Sequence, residues 1–261
     1  MQATLPRLIA CDIDGTLMAY DERALSPRLF PLIRALEERG VLFCPASGRQ
    51  YASLRRLFAP VADRLVYLCE NGGILYGRGG EVLGRTVMER ARALALARDI
   101  LAQPGCELLL SGANMSYVCL KQPGLDERLR HFTGNRVTVL GAPEEMPEEI
   151  VKVSAYCRDG AARYAPLLGP VWAREFPMAV GGPQWLDFAL ADKGTGLRAL
   201  LEVLSIDPAE VMAFGDNAND LPMLELVGMP YVVNRSPLRE IPAGWQRCER
   251  VEDVLEGLLG R

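Results

Sequence analysis

Strand-like and helix-like segments alternate over the first seventy residues, and this order limits the folds open to the chain. RLIAC predicts a buried strand, followed by a helix in SPRLFPLIRALEERG, a strand in VLFCPA, a helix in YASLRRLFA and a strand in RLVYLC. We expect Ser26 to cap the first helix, with Pro27 at its first position and Gly40 ending it. A β-α-β-α-β order requires parallel strands with helices on both faces of the sheet.

The alternation stops at Glu70 and resumes at Lys193. ENGGILYGRGGEVLGR predicts a hairpin with glycine-rich turns, and TVMERARALALARDILA predicts a long helix. Short strands then dominate up to about residue 190, interrupted by helical pieces near 126–132 and 161–168. The predicted fold class is therefore α/β: a doubly wound, Rossmann-like parallel sheet in residues 1–83 and 187–261, split by an inserted α+β domain in residues 84–186.

Composition excludes several classes of protein. A net charge of −4 gives no reason to expect nucleic acid or an anionic membrane as a partner. No apolar run approaches the ~18 residues of a membrane span, and the run before Asp12 is too short for a signal peptide. The seven scattered cysteines include no Cys-x-x-Cys pair. We expect them to be reduced and buried, in a cytoplasmic protein. No feature of the sequence indicates an oligomeric state.

Polar residues follow three of the predicted core strands directly. Asp12 and Asp14 follow the first, Ser47, Gly48 and Arg49 the second, and Asp216, Asn219 and Asp220 the strand EVMAFG. Ligands in open α/β sheets bind beyond the carboxyl ends of the strands. Two unit charges about 4 Å apart repel by roughly 4 kcal/mol at an effective dielectric near 20. The clustered carboxylates therefore predict a cation, and ligands that are all oxygen favour Mg²⁺.

Taken one at a time, these residues leave simpler interpretations open. Asp-x-Asp-Gly is also found in ordinary turns, but a calcium loop starting at Asp12 is excluded because Leu17 and Arg23 occupy its Gly and Glu positions. Lys193 opens a predicted helix, where a cation opposes the helix dipole, and this slightly favours a special role. His131 is the only histidine, and we interpret it as a solvated residue of the inserted domain.

Taken together, four motifs resemble the haloacid dehalogenase superfamily of phosphohydrolases, of the Cof type with a C2B cap. They are DIDGT at 12–16, SGR at 47–49, Lys193 and GDNAND at 215–220. The resemblance extends over nearly the whole chain, because ENGG and GDNANDLPMLELVG also match sequence patterns of the family. The insertion lies between the second motif and Lys193, as in members with a C2 cap.

The resemblance implies a role for each motif residue. Asp12 would be the nucleophile that becomes an aspartyl phosphate, and Asp14 the general acid and base. Mg²⁺ would be bound by Asp12, the backbone carbonyl of Asp14 and Asp216, with Asp220 in support. The phosphoryl oxygens would contact a set of polar residues, which are Ser47, Lys193 and Asn219. Gly48 and Arg49 complete the expected substrate-binding set.

The implied activity is Mg²⁺-dependent hydrolysis of small phosphorylated metabolites, either sugar phosphates or nucleotides. A phosphatase of the mannosyl-3-phosphoglycerate type, a phosphotransferase of the same fold, and a binding or regulatory protein on this scaffold stay open as alternatives. Dehalogenases of the superfamily lack the second aspartate, which is present here as Asp14. Arg235 departs from the small residue that is common after the preceding asparagine in the family.

Overall fold

The computed structural model describes residues 5–260, which form two compact units. The core unit comprises residues 5–47, 54–84 and 192–260, and the inserted unit comprises residues 48–53 and 85–191. The long insertion ends five residues later than the sequence predicts, because its last strand continues to Ala189. Sequence reasoning also missed that the segment 48–53 groups with the inserted unit.

Strands and helices are numbered along the chain. The strands are β1 (Leu8–Cys11), β2 (Leu42–Pro45), β3 (Tyr67–Cys69), β4 (Ile74–Tyr76), β5 (Val82–Arg85), β6 (Cys106–Ser111), β7 (Ser116–Cys119), β8 (Val137–Val139), β9 (Lys152–Cys157), β10 (Met178–Gly182), β11 (Trp185–Ala189), β12 (Val211–Gly215), β13 (Met229–Val233) and β14 (Gln246–Cys248). The helices are α1 (Leu29–Glu38), α2 (Tyr51–Leu57), α3 (Arg90–Ala102), α4 (Leu125–Arg128), α5 (Ala161–Trp172), α6 (Lys193–Leu204), α7 (Leu221–Leu226) and α8 (Val251–Leu259).

The core unit is built on a five-stranded sheet of order β14-β13-β12-β1-β2. All four pairings are parallel, which confirms the predicted doubly wound sheet. The central strands β1 and β12 are buried along their whole length, as continuous apolar runs such as LIAC favour. Their parallel register, with Cys11 opposite Phe214, places the segments that follow the two strands side by side.

Two local predictions were wrong. The strand RLVYLC does not join the parallel sheet, because β3 pairs antiparallel with β4 in a separate sheet of order β3-β4-β5. A single parallel bridge from Ala46 to Leu68 is its link to the end of β2. Ser26 is not the N-cap of α1, because Ser26 O accepts from Leu29 N in a preceding turn and the helix starts at Leu29. Gly40 does follow the helix, with φ 82°.

The inserted unit has a six-stranded sheet of order β10-β11-β9-β6-β7-β8, and all its pairings except β7–β8 are antiparallel. Helices α3 and α5 supply Leu96, Ile100 and Leu168 to the apolar cluster on one face. Leu125 and Leu129 cover Val118 on the other face. The predicted α+β character of the insertion is therefore confirmed.

The segment 48–53 is fixed inside the inserted unit by hydrogen bonds. The buried side chain of Gln50 donates through Nε2 to Ser116 Oγ at 3.2 Å and accepts from Arg136 N at 2.7 Å. Ala52 N donates to Asn114 Oδ1 at 3.0 Å, and Lys152 Nζ donates to Gly48 O at 3.3 Å. This segment is thus built into the hydrogen-bond network of the inserted unit.

The seven cysteines are all buried and carry free thiols, as predicted. Burial raises the pKa of Cys44 to about 12, and a thiol that stays protonated is a poor nucleophile and metal ligand. Among residues 5–260, no helix is both long and apolar enough to cross a membrane.

Candidate active site

The turn after β1 brings Asp12 to the carboxyl end of the core sheet. Asp12 N donates to Phe214 O at 3.0 Å, so the ladder with β12 continues up to the residue that bears the carboxylate. The chain then folds back tightly, because Gly15 N donates to Met18 O at 2.7 Å and Thr16 N to Ile13 O at 3.2 Å. Asp12 is buried, whereas Asp14 is partly exposed. The two aspartates that the sequence places two residues apart therefore lie in different environments.

Gly15 is required where this turn meets the turn after β12. Its φ is 100°, a left-handed value that favours glycine. A Cβ atom at this position would lie 2.3 Å from Asp216 Oδ2, which is far inside the contact distance of the two atoms. The glycine of DIDGT thus allows the two acidic turns to approach each other.

Lys193 is the buried cation of the site. It begins α6, whose N-terminus is closed by a capping box in which Thr195 N donates to Asp192 Oδ1 at 2.7 Å. Lys193 Nζ donates to Asp12 Oδ1 at 2.5 Å and to Asp220 Oδ1 at 2.6 Å. Burial acts to lower the pKa of Lys193, but the charges of Asp12 and Asp220 outweigh it and raise this pKa above its usual value. Lys193 is therefore a permanent cation in the core unit.

Asp220 supports the site through both of its carboxylate oxygens. While Oδ1 accepts from Lys193, Oδ2 accepts from Asp216 N at 2.9 Å and from Asn217 N at 3.0 Å. Its side chain is fully buried. Asp220 therefore joins Lys193 to the turn after β12 through hydrogen bonds.

Asp216 is oriented by two hydroxyl groups of the first turn. Its Oδ1 accepts from Thr16 Oγ1 at 3.0 Å, and its Oδ2 accepts from Tyr20 OH at 3.0 Å. Ser236 Oγ donates to the Asp216 backbone carbonyl. Sequence reasoning did not select Thr16, Tyr20 or Ser236. Thr16 belongs to DIDGT and could have been found there, whereas no pattern in the sequence marks Tyr20.

Three buried carboxylates lie close together at the carboxyl ends of β1 and β12. Asp12, Asp216 and Asp220 each have an oxygen within 4.8 Å of the others, and in the described part of the chain Asp14 does not contribute its carboxylate to the group. Burial, and next the charge of Asp220, raise the pKa of Asp12 to about 8. The same two causes raise the pKa of Asp216. One buried ammonium therefore leaves the carboxylates incompletely compensated, which favours a cation beside the oxygen atoms of Asp12 and Asp216.

Arg235, the departure noted in the sequence, contacts the first turn. Its Nε donates to Gly15 O at 2.8 Å, and its Nη2 donates to Thr16 O. A guanidinium group presents several donors in a fixed fork, which suits two adjacent carbonyl groups. Arg235 therefore fixes the backbone directly after the two aspartates.

The remaining predicted residues are distributed between the two units. Ser47 is buried in the core unit, where its N donates to Leu68 O at 3.0 Å. Asn219 is exposed in the short turn before α7. Gly48 and Arg49 belong to the inserted unit rather than to the core unit that carries Asp12. His131 is exposed in the turn Leu129–Thr133, as expected of a solvated histidine.

Comparison with known proteins decides the family. The sequence model of the haloacid dehalogenase-like hydrolases matches residues 9–161 and 187–239, which include both acidic turns and Lys193. The chain belongs to this family. This membership confirms the predicted family and supports the predicted class of phosphoric monoester hydrolase.

The relatives of this hydrolase match it over almost its full length. It is 25% identical over 268 residues to the 5-amino-6-(5-phospho-D-ribitylamino)uracil phosphatase of Escherichia coli, covering 97% of this chain and 96% of the relative. It is 29% identical to the phosphoglycolate phosphatase of Haloarcula marismortui, covering 98% and 95%. A solved protein from Eubacterium rectale shares its fold with a TM-score of 0.85 at 26% identity, covering 97% and 98%.

A second solved structure supports the fold with its inserted domain. The haloacid dehalogenase subclass IIB sugar phosphatase BT4131 is 18% identical and superposes with a TM-score of 0.79, covering 96% of this chain and 99% of its own. At this identity the likeness shows the fold alone. The predicted fold class is confirmed.

Proposed function

We propose that this chain is a Mg²⁺-dependent phosphatase that hydrolyses small phosphorylated metabolites, sugar phosphates or nucleotides, in the cytoplasm. The reaction proceeds through an aspartyl phosphate on Asp12. One observation carries the proposal: a buried lysine binds Asp12 and Asp220 together, beside an Asp216 carboxylate that two hydroxyl groups orient. Such an arrangement concentrates charge where a phosphoryl group needs it.

In the first step, a carboxylate oxygen of Asp12 forms a bond to phosphorus, and the bond from phosphorus to the ester oxygen breaks. Asp14 donates its proton to the departing alkoxide, which leaves as an alcohol. Lys193 lies 2.5 Å from Asp12 Oδ1, so its positive charge stands beside the reacting carboxylate and beside the phosphoryl oxygens. Ser47 and Asn219 donate hydrogen bonds to those oxygens.

In the second step, water attacks the phosphorus of the aspartyl phosphate. Asp14, now a carboxylate, accepts a proton from this water, and the bond between phosphorus and the Asp12 oxygen breaks. Inorganic phosphate leaves, and both aspartates return to their starting states. General acid and base catalysis by a positioned group contributes typically ~10²–10⁴-fold to the rate.

Asp12, Asp216 and the Asp14 backbone carbonyl would bind the Mg²⁺ ion, which when bound neutralises charge on the phosphoryl group. The fit of this ion rests on oxygen donors alone and on carboxylates whose pKa values are raised by burial. Asp220 is not proposed as a ligand, because its two oxygens already accept three hydrogen bonds.

Within the inserted unit, we assign substrate selection to residues 85–191 and further phosphate binding to Gly48 and Arg49. The assignment is tested by replacing residues 85–191 with a short linker and screening the same set of metabolites. A folded protein of this kind should keep slow hydrolysis of a small aryl phosphate and lose its discrimination among metabolites. An unchanged order of preference would show that selection lies in the core unit.

The main experiment separates the two aspartates of the first turn, using an activated aryl phosphate with and without Mg²⁺. Asp12→Asn should form no phosphoenzyme and reduce turnover to background. Asp14→Asn should show a burst and then stall, with one added phosphoryl group on the peptide that contains Asp12, detected by mass spectrometry. Asp21→Asn, an exposed aspartate of the same segment, is the control and should turn over like wild type. A phosphoenzyme in Asp12→Asn would overturn the assignment.

A further inference from the structure

The two ends of the Tyr20 side chain lie in different environments. The residue is 70% exposed, the highest value among the large apolar side chains that the structure describes. Its hydroxyl group nevertheless donates to Asp216 Oδ2 at 3.0 Å, and Asp216 is buried. A tyrosine combines an apolar ring with a polar tip, so it can join the protein surface to a buried polar group. Tyr20 therefore connects an exposed loop to the acidic site of the core unit.

The loop that carries Tyr20 contains a tight turn closed by its own hydrogen bonds. Ala19 N donates to Glu22 Oε2 at 2.8 Å, and Glu22 N donates to Ala19 O at 3.0 Å. Tyr20 is the second residue of this turn. Because most of its ring is exposed, packing against neighbouring residues contributes little to its position. The hydrogen bond to Asp216 is therefore a main determinant of where the hydroxyl group lies.

The carboxylate of Asp216 accepts a hydroxyl donor at each of its two oxygens. Thr16 Oγ1 donates to Oδ1 at 3.0 Å, and Tyr20 OH donates to Oδ2 at the same distance. The torsion that turns an aspartate carboxylate about its Cβ–Cγ bond is broad, so a single donor restricts it weakly. Two donors on different oxygens fix the plane of the carboxylate. Removing the Tyr20 hydroxyl would leave only the donor on Oδ1 to oppose this rotation.

The two hydroxyl groups leave Asp216 able to bind a cation. An ionised carboxylate has about four lone-pair positions, and the two hydroxyl groups occupy only two of them. An oxygen of Asp216 also lies within 4.8 Å of an oxygen of Asp12, the other carboxylate proposed to bind Mg²⁺. Hydrogen bonds to a carboxylate that binds a metal ion orient it, and losing one typically lowers metal affinity by about 10–100-fold.

We propose that Tyr20 is a positioning residue for the Mg²⁺ site, and that its hydroxyl group holds the Asp216 carboxylate in the orientation that binds the ion. The inference rests on the proposed Mg²⁺-dependent function and adds to it a residue outside the four sequence motifs. Tyr20 acts through Asp216 and contacts neither the ion nor the phosphoryl group. Its loss therefore weakens Mg²⁺ binding without removing a catalytic group.

The test follows the melting temperature of the protein as Mg²⁺ is added, so it does not depend on turnover. Tyr20→Phe removes the hydroxyl group and keeps the ring, and because the ring is exposed the variant should fold like wild type. Relative to its own metal-free value, the variant should need about tenfold more Mg²⁺ for a given rise in melting temperature. The same response in wild type and Tyr20→Phe would overturn the proposal.

Tyr117→Phe is the matched control. Tyr117 OH also donates to a carboxylate, Glu148 Oε1, at 2.7 Å, but within the inserted unit. This variant loses the same kind of hydrogen bond and should keep the wild-type response to Mg²⁺. A shift as large as that of Tyr20→Phe would show a general effect on the structure and would contradict the proposal.

Aryl phosphate hydrolysis separates an effect on the ion from an effect on the substrate. Tyr20→Phe should need about tenfold more Mg²⁺ for half-maximal turnover. At saturating Mg²⁺ it should reach the turnover of wild type, because the occupied site is then complete. Reduced turnover at saturating Mg²⁺, with an unchanged Mg²⁺ requirement, would show that Tyr20 acts on the substrate instead.

The outcomes distinguish this inference from the function on which it rests. If Mg²⁺ does not stabilise the wild-type protein, the proposed Mg²⁺ site is wrong and the role of Tyr20 is wrong with it. If Mg²⁺ stabilises wild type and Tyr20→Phe with equal affinity, only the role of Tyr20 is wrong. If wild type hydrolyses no phosphate ester but Tyr20→Phe still binds Mg²⁺ more weakly, the phosphatase proposal fails and the role of Tyr20 stands.

Discussion

Replacing Lys193 by Met tests the charge arrangement on which the site depends. The variant keeps most of the side-chain volume and removes the ammonium that binds Asp12 and Asp220 at 2.5 and 2.6 Å. All three side chains are at most 8% exposed, so water cannot take over the role of the lysine. Breaking a buried ion pair by removing one partner costs about 3–5 kcal/mol, because the other charge stays buried without compensation.

The measurement is the melting temperature of the metal-free protein, recorded by calorimetry during thermal unfolding. For a domain of this size, about 1 kcal/mol lowers the melting temperature by roughly 2–4 °C, so we expect a fall of about 6–20 °C. The fall should be larger at about pH 9 than at about pH 5. Because burial raises the pKa values of Asp12 and Asp216, both carboxylates take up protons more readily at the lower pH and then need less compensation.

Two controls make the result specific. Lys121→Met removes an exposed lysine of the inserted unit, where we expect a change within about 0.5 kcal/mol. The double variant Lys193→Met with Asp220→Asn should recover part of the loss, because it also removes one of the buried charges. The reasoning fails if Lys193→Met costs less than about 1 kcal/mol, or if the second substitution adds a further loss.

Three other outcomes are expected. Mg²⁺ at one hundred times its dissociation constant should stabilise the protein by about 2.7 kcal/mol, and Asp216→Ala should abolish most of the resulting rise in melting temperature; an unchanged rise would place the ion elsewhere. Gly15→Ala should lower stability and Mg²⁺-dependent turnover, since its Cβ would lie 2.3 Å from Asp216 Oδ2, whereas Gly40→Ala, with nothing within 4 Å, should reduce stability alone. Without metal, the pKa of Asp12 is raised from 3.8 to about 8, so stability should fall as pH rises between these values, and a flat melting curve against pH would contradict this shift.

The sequence was sufficient for the parts of the site that follow directly from strand ends. Asp12 and Asp216 come straight after β1 and β12, so once the parallel pairing was predicted their proximity followed from the topology. The support of Lys193 by Asp220 was implied by the family resemblance, whereas the contact between Lys193 and Asp12 was not predicted. Pattern alone gives no distance between residues so far apart in the chain.

Other parts depended on long-range packing that no local pattern contains. Tyr20 reaches Asp216 from a loop without regular structure, and Arg235 reaches Gly15 across 220 positions of the chain. The strand β3 has the apolar composition of a central parallel strand, yet it pairs with β4 because the short 70–72 turn brings the next strand back beside it. Gly48 and Arg49 group with the inserted unit because Gln50 makes its hydrogen bonds there, which their sequence position after β2 does not indicate.

The charge balance of the core site favours the proposed divalent ion over a second basic side chain. Asp12, Asp216 and Asp220 carry three formal negative charges, and Lys193 supplies one positive charge, which leaves two negative charges in a buried place. Another lysine or arginine would neutralise one of these and would block the Asp12 carboxylate, which we propose as the nucleophile. A divalent cation would neutralise both remaining negative charges. Its other coordination positions would be open to ligands that the protein does not supply, including a phosphoryl oxygen. Burial, and next the charge of Asp220, raise the pKa of Asp12, and a bound cation would oppose both effects.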